Sequence, residues 1–236
     1  MSMMKLFCLP YAGGSAMVYK DWKRLLHTSI ELHTIELAGR GKRFSDPFYN
    51  NIGEAVNDIY KMIENKIDGC AYALLGHSMG SLLAYELAYK IKELNRPYPC
   101  HIFFSGRCPP GVEIDEKVIF DLPDEEFLEE IFKLGGTPKE LLQDKNMLEV
   151  FAPVLRADFK IIETHTHTEK DTKLDCDITV FWGKDEEGAT INDVSQWQNY
   201  TDKRCRIHMF DGGHFFLHEF TRDIAEIINS TLVTVF

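Results

Sequence analysis

A serine in a glycine-flanked turn is the residue of this sequence best suited to covalent chemistry. Residues 76–80 read Gly-His-Ser-Met-Gly, which fits the pattern G-x-S-x-G between an apolar run and a helical pattern. A serine on a tight strand-to-helix turn adopts a strained backbone, and glycines two residues to either side avoid a clash. The turn also places Ser78 at a helix N-terminus, where backbone N–H groups favour a developing negative charge. The pattern predicts Ser78 as a nucleophile.

A serine hydroxyl needs a general base and an acidic side chain that orients this base. In folds with such a turn, the acid and then the base follow the serine, each on a loop after a later strand. His214 follows an apolar run in the sequence Asp-Gly-Gly-His, so its position suits the base. His218 is the alternative, but it lacks the glycines that would free a loop. We therefore expect His214 to be the base.

The acid and the oxyanion donors are less narrowly defined by the sequence. Residues 183–187 read Gly-Lys-Asp-Glu-Glu after another apolar run, and either Asp185 or Glu186 could reach the imidazole. A backbone N–H in the loop after the first strand should stabilise the oxyanion, and Ala12 or Gly13 fits this position. Both alternatives stay open at this level.

The remaining histidines near these motifs have simpler interpretations. His165 and His167 alternate along a polar stretch, but their spacing and neighbours favour a solvated terminus of a helical segment over a metal site. His77 is expected to pack beside the nucleophile. We therefore predict no metal ligands.

Strands and helices alternate in the segments that must position these residues. Such alternation predicts a mostly parallel central sheet flanked by helices, the α/β class. The helices are predicted from apolar residues at 3.6-residue spacing. The predicted strands cover residues 5–9, 33–37, 71–75, 102–105, 178–182 and 206–210, and the predicted helices cover 16–26, 52–67, 79–94 and 220–228.

The alternation breaks after Pro109, and only helical signals remain until about residue 173. Residues 111–150 hold twelve acidic and four basic side chains, which marks a shift in composition. A capping box at 137–140 starts one predicted helix, and Pro153 is expected to kink another over 147–162. We predict a single domain with a core over about 1–110 and 174–236, interrupted by a helical lid over about 111–173.

Composition excludes several classes of partner. The net charge of −11 argues against nucleic acid, which needs a basic surface, and the apolar runs are too short to span a membrane. The first residues lack the apolar segment of a signal peptide. Six scattered cysteines without a C-x-x-C pair indicate reduced thiols. The expectation is a monomeric cytoplasmic protein.

Taken together, these segments resemble the type II thioesterases, stand-alone hydrolases of the α/β-hydrolase fold that serve non-ribosomal peptide and polyketide synthases. The resemblance covers nearly the whole chain. G-x-S-x-G alone is unspecific, whereas the P-x-L-R-A-D and G-G-H-F-F segments are far more specific. The matching segments are 8–16 (CLPYAGGSA), 39–43 (GRGKR), 76–80 (GHSMG), 122–124 (LPD), 153–158 (PVLRAD) and 210–216 (FDGGHFF).

The resemblance implies a role for each matching position. Ser78 would be the nucleophile, His214 the base, and the backbone N–H groups of Ala12 and Met79 the oxyanion hole. The family's acid lies three residues after the glycine that ends its strand, which puts Glu186 in this role. Asp185 lies one residue early, and the family usually has aspartate.

The implied substrate is an acyl group on the phosphopantetheine arm of an acyl- or peptidyl-carrier protein, in particular a stalled or misprimed one. No metal or organic cofactor is implied. The alternatives are a general carboxylesterase or acyl-CoA thioesterase on small substrates, a non-catalytic binding module, and acyl transfer to an acceptor other than water. For carrier docking, basic groups in the loop after the second strand are candidates: Arg40, Lys42 and Arg43.

Overall fold

A six-stranded parallel sheet forms the centre of the protein. The computed structural model describes residues 3–112, 117–136 and 145–233. The strands are arranged in the order β2-β1-β3-β4-β5-β6, and every neighbouring pair is parallel. Their bounds are β1 Met4–Leu9, β2 Ile30–Thr34, β3 Tyr72–His77, β4 His101–Ser105, β5 Asp177–Gly183 and β6 Cys205–Phe210.

Apolar side chains of the inner strands alternate between two hydrophobic clusters, one on each face of the sheet. Leu74 and Phe104 face one cluster, whereas Leu75 and Phe103 face the other, as the period of two in a strand requires. All residues of β3 and β4 are buried, which explains their nearly continuous apolar sequence.

Helices cover both faces of this sheet. Helices α1 and α2 supply buried residues to the first cluster, and α7 supplies buried residues to the second. Asn51 caps α1, since its side chain accepts a hydrogen bond from the N–H of Glu54 at 2.9 Å. The α-helices are α1 Ile52–Ile63, α2 Met79–Glu93, α3 Asp124–Lys133, α4 Lys145–Glu163, α5 Ile191–Ser195, α6 Phe216–Glu219 and α7 Thr221–Val233.

Helices α3 and α4 lie in the segment between β4 and β5 that the sequence marks as helical. Phe127 and Ile131 of α3 form a small separate cluster, to which Leu155 and Phe159 of α4 contribute. Pro153 lies inside α4. The capping box predicted at residues 137–140 lies outside the described residues.

Two predicted elements of the first half are wrong. Residues 16–26 form two short 3₁₀ helices, Ala16–Tyr19 and Trp22–Arg24, instead of one α-helix. Each of the two short helices buries one aromatic side chain, Tyr19 in the first and Trp22 in the second. The second strand is Ile30–Thr34 instead of 33–37, because the apolar residues that follow it fill the core from a loop.

All six cysteines are free thiols. Within the parts of the chain that the structure describes, no helix has the length and apolar character needed to cross a membrane.

Candidate active site

The turn at Ser78 joins the end of β3 to the start of α2. Ser78 has φ 53° and ψ −115°, which is strained backbone for a residue with a side chain. A Cβ on Gly76 would lie 2.0 Å from the carbonyl oxygen of Gly80, and one on Gly80 would lie 2.2 Å from that of Leu9. The two glycines therefore allow the close packing that holds Ser78 in this conformation.

His214 lies on the loop after β6 and contacts a carboxylate on the loop after β5. Its Nδ1 forms a short hydrogen bond with Oε1 of Glu186. Since a carboxylate only accepts, Nδ1 carries the proton and Nε2 is the unprotonated nitrogen of the neutral ring. Ser78, His214 and Glu186 line one small cavity of about 40 Å³. The three side chains expected to cooperate are thus brought together.

Asp185 has a different place in the same loop. Its carboxylate accepts a hydrogen bond from the N–H of Gly212 at 3.1 Å, and its own N–H donates to the Gly212 carbonyl at 3.0 Å. Asp185 therefore joins the loops after β5 and β6, while Glu186 reaches the imidazole. The other candidate base, His218, is exposed and shares a hydrogen bond of 3.1 Å with the Tyr11 hydroxyl.

The backbone donors near Ser78 differ in whether they are already used. The N–H of Gly13 donates to Oδ2 of Asp158 at 2.8 Å, so it is occupied. Among the described residues, the N–H groups of Ala12 and Met79 have no hydrogen-bond acceptor. Of the two candidate oxyanion donors in the loop after β1, the N–H of Ala12 is therefore available, whereas that of Gly13 is not.

A buried ion pair connects this loop to α4, and the sequence did not predict it. Arg40 binds both oxygens of Asp158, at 2.6 and 2.7 Å, and the two residues are 5% and 2% exposed. Arg40 also donates to the Gly14 carbonyl at 3.1 Å. The pairing of Arg40 with Asp158 could have been suspected because both residues lie in segments that match the family.

The expectation that Arg40, Lys42 and Arg43 together form a docking surface for a carrier protein is wrong. Arg40 is buried, so it presents no charge to a partner. Arg43 is engaged as well, since its guanidinium pairs with Asp58 at 2.6 Å and Asp46 at 2.7 Å. Of the three candidates, only Lys42 is exposed.

His77 packs behind the nucleophile, as expected. It is completely buried, and its Nδ1 lies 2.8 Å from the Ser105 hydroxyl. Burial lowers the pKa of His77 well below its ordinary value, and the nearby His214 lowers it further. His77 is thus a neutral packing residue whose ring centroid lies 5.2 Å from that of His214.

His165 and His167 are less exposed than their polar neighbours in sequence suggested. Both are partly buried beyond the end of α4, and burial lowers the pKa of His167. They were misjudged because the segment turns back against Gly111 and Tyr85 of the core, a contact with no local signal. No group of metal-binding side chains occurs among the described residues.

The parallel sheet and the strained serine turn, with the histidine and carboxylate on later loops, define an α/β-hydrolase. The Thioesterase domain family model matches residues 4–232. The chain therefore belongs to the thioesterase domain family, whose members hydrolyse thioesters.

Individual relatives agree with this assignment. Gramicidin S biosynthesis protein GrsT of Aneurinibacillus migulanus is 35% identical over 95% of this chain and 87% of its own length. The structure of ClbQ from the colibactin NRPS/PKS pathway superposes with a TM-score of 0.94 at 34% identity, covering 99% of this chain and 98% of ClbQ. The type II thioesterase BorB from the borrelidin biosynthetic cluster has a TM-score of 0.87 at 29% identity, covering 97% and 92%. The expected likeness to type II thioesterases is confirmed.

Proposed function

We propose that this protein hydrolyses acyl groups from the phosphopantetheine thioester of acyl- or peptidyl-carrier proteins, with Ser78, His214 and Glu186 as its catalytic triad. The observation that carries the proposal is the hydrogen bond between His214 Nδ1 and Glu186 beside the strained turn of Ser78. Relatives named for gramicidin S biosynthesis and for an NRPS/PKS pathway support the carrier-bound substrate.

In the first half-reaction, the Ser78 hydroxyl attacks the thioester carbonyl carbon while Nε2 of His214 takes the hydroxyl proton. The negative charge moves to the carbonyl oxygen, where the N–H groups of Ala12 and Met79 stabilise it. Each such donor is worth about 10²–10³ in kcat. The C–S bond then breaks, and the imidazolium gives its proton to the leaving pantetheine sulfur.

The second half-reaction returns the enzyme to its starting state. His214 removes a proton from water, which attacks the acyl-serine carbonyl, and the same two N–H groups stabilise the second oxyanion. The C–O bond to Ser78 breaks, and the serine oxygen takes its proton back from the imidazolium. Glu186 holds the ring in the productive tautomer and stabilises its charged form throughout. The products are the free acid and the carrier thiol, and the steps need no metal or cofactor.

The segment between β4 and β5 is proposed to act as a lid over the site. Its helix α4 supplies Asp158, which binds Gly13 next to the proposed oxyanion donor. A pantetheine arm has to pass this segment to reach Ser78. The cytoplasmic location and the monomeric state stay predictions.

The test compares one acyl group on three carriers: an acyl-carrier protein, acyl-pantetheine and a simple oxygen ester of the same acid. We expect the highest kcat/KM for the carrier protein and the lowest for the ester. Ser78→Ala should lose activity by several orders of magnitude and should no longer react with a fluorophosphonate probe. Equal values for all three substrates would instead identify a general carboxylesterase. Persistent labelling of Ser78→Ala would exclude Ser78 as the nucleophile.

A further inference from the structure

A second cavity lies beside the one that contains Ser78. It measures about 240 Å³, and Arg107 and Cys108 line both cavities. Leu82 in its wall is one helical turn from Ser78, a rise of about 6 Å along α2. The second cavity therefore adjoins the place where an acyl group would be attached.

The sizes of the two cavities suggest how an acyl-enzyme is accommodated. The cavity at Ser78, of about 40 Å³, holds little more than one water molecule. An acyl group on Ser78 therefore has to extend beyond it. The neighbouring cavity, of about 240 Å³, is below the range of about 300–1,000 Å³ typical of pockets for drug-sized ligands, so it suits a short acyl group.

Part of the wall of the second cavity is polar. His165 and His167 line it, and His165 Nε2 and His167 Nδ1 are buried with no hydrogen-bond partner among the described residues. Behind His165, Oε1 of Glu86 lies 3.6 Å from Nε2, while the other Glu86 oxygen is held by Lys170 at 2.7 Å.

These groups would favour a polar acyl substituent. His165 Nε2 faces the carboxylate of Glu86, whereas His167 Nδ1 is buried without a hydrogen-bond partner among the described residues. When the neutral ring of His167 carries its proton on Nε2, its Nδ1 is an acceptor. A hydroxyl or amino group can donate to such an acceptor. An alkyl chain in the same place would leave the buried Nδ1 of His167 unpaired, which costs binding free energy.

We propose that the cavity bounded by Leu82, Arg107, His165 and His167 is the acyl pocket, and that it selects short acyl groups with a hydroxyl or amino substituent over plain alkyl groups. This inference rests on the proposed function, because it requires the acyl group to be attached at Ser78. Its specificity-determining residue is His167.

The test uses butyryl and 3-hydroxybutyryl thioesters of N-acetylcysteamine, the latter as separate enantiomers. For the wild type, we expect kcat/KM to be about tenfold higher for the better hydroxy enantiomer, the gain typical of one hydrogen bond to a buried group. His167→Phe keeps an aromatic ring and removes the polar nitrogen, so the ratio of the two kcat/KM values should fall close to one. Thr166→Val is the matched control, because Thr166 lies between the histidines and is exposed.

The outcomes separate the two levels of inference. If the wild type hydrolyses neither thioester nor the carrier-bound substrates, the proposed function is wrong. If it hydrolyses butyryl and 3-hydroxybutyryl thioesters equally well, or if His167→Phe keeps the wild-type ratio, the acyl pocket is wrong while the function stands. If His167→Phe does not fold, inhibition of the wild-type enzyme by the two product acids provides a second test. 3-Hydroxybutyrate should inhibit more strongly than butyrate, and equal inhibition would overturn the proposal.

Discussion

Replacing Asp158 by asparagine should weaken both the fold and the catalytic step. Asp158 accepts hydrogen bonds from both terminal nitrogens of Arg40 and from the N–H of Gly13. The substitution keeps the shape of the side chain but removes its charge, which leaves the guanidinium buried without a counterion. It also replaces one carboxylate oxygen by an NH2 group, which cannot accept, so at least one of the three hydrogen bonds is lost.

The stability effect follows from burial. Removing one partner of a buried ion pair costs about 3–5 kcal/mol. We expect the lower end, about 3 kcal/mol, because Arg40 keeps its hydrogen bonds to the carbonyls of Gly14 and Ala38. In a chain of this size, that loss lowers Tm by about 6–12 °C. The control is Asp175→Asn, because Asp175 pairs with Lys203 at 3.2 Å on the surface. It should cost no more than about 1 kcal/mol.

The catalytic effect follows from the loop that Asp158 holds. A displaced Gly13 shifts the neighbouring N–H of Ala12, one of the two proposed oxyanion donors. Complete loss of such a donor costs about 10²–10³ in kcat, so a displaced donor should cost about 10–100-fold. KM should change less than threefold, because the donor acts mainly on the transition state. Steady-state kinetics on acyl-pantetheine, with thermal unfolding followed by circular dichroism, measures both effects.

A double variant separates support of the fold from support of catalysis. Arg40→Met with Asp158→Leu replaces the pair by apolar side chains, a change that is often neutral or stabilising for buried pairs. Stability should recover, but kcat should stay low because the Gly13 N–H still lacks its acceptor. A single Asp158→Asn variant with kcat within twofold of the wild type would refute the positioning role. An unchanged Tm would refute the stability calculation.

Three further predictions concern the rest of the site and the core. Glu186→Gln should lower kcat by orders of magnitude, whereas Asp185→Asn should lower it less than tenfold; the reverse order would assign the acid to Asp185. Burial lowers the pKa of His101 from its ordinary value near 6.5 to about 4, so the unfolded chain binds a proton that the folded protein excludes. Between pH 6.5 and 4, urea titrations of the wild type should therefore lose about 3 kcal/mol more unfolding free energy than those of His101→Gln; equal losses would contradict this. Gly136→Ala would place its Cβ 2.0 Å from the Phe215 ring, which contacts the imidazole of the proposed base His214, and we expect kcat to fall about tenfold on carrier-bound and small thioesters alike; unchanged kcat would mean that the ring moves away freely.

The strands and the serine turn could be predicted because their signals are local. A buried strand is a short apolar run, and the turn at Ser78 needs glycines two residues to either side, both visible in the sequence. The sequence around Asp185 and Glu186 does not show which carboxylate contacts the histidine. The contact depends on the loop after β6, where the N–H of Gly212 donates to the Asp185 carboxylate and His214 binds Glu186. Family register favoured the same residue, and the structure supplies the physical reason.

Long-range pairing explains the predictions that failed. Arg40 looked like a surface charge because its partner, Asp158, lies 118 residues later in the chain. His165 and His167 looked solvated because their neighbours in sequence are polar, although they pack against residues of the core. In each case, the charged or polar residue was judged by its neighbours in sequence, while its environment is set by tertiary contacts.

The segment between β4 and β5 contacts the loop after β1 and the loop after β6. Leu155 fills the space above Gly13, where a Cβ would lie 2.5 Å from its side chain, and Asp158 binds the same loop. Gly136 touches Phe215, the residue after the proposed base. The absence of a side chain at Gly136 is therefore explained by this contact. A lid that moves to admit a pantetheine arm must break one of these contacts, so lid position and the geometry of the oxyanion loop or His214 would change together. The segment thus has the contacts needed to link substrate entry with assembly of the active site.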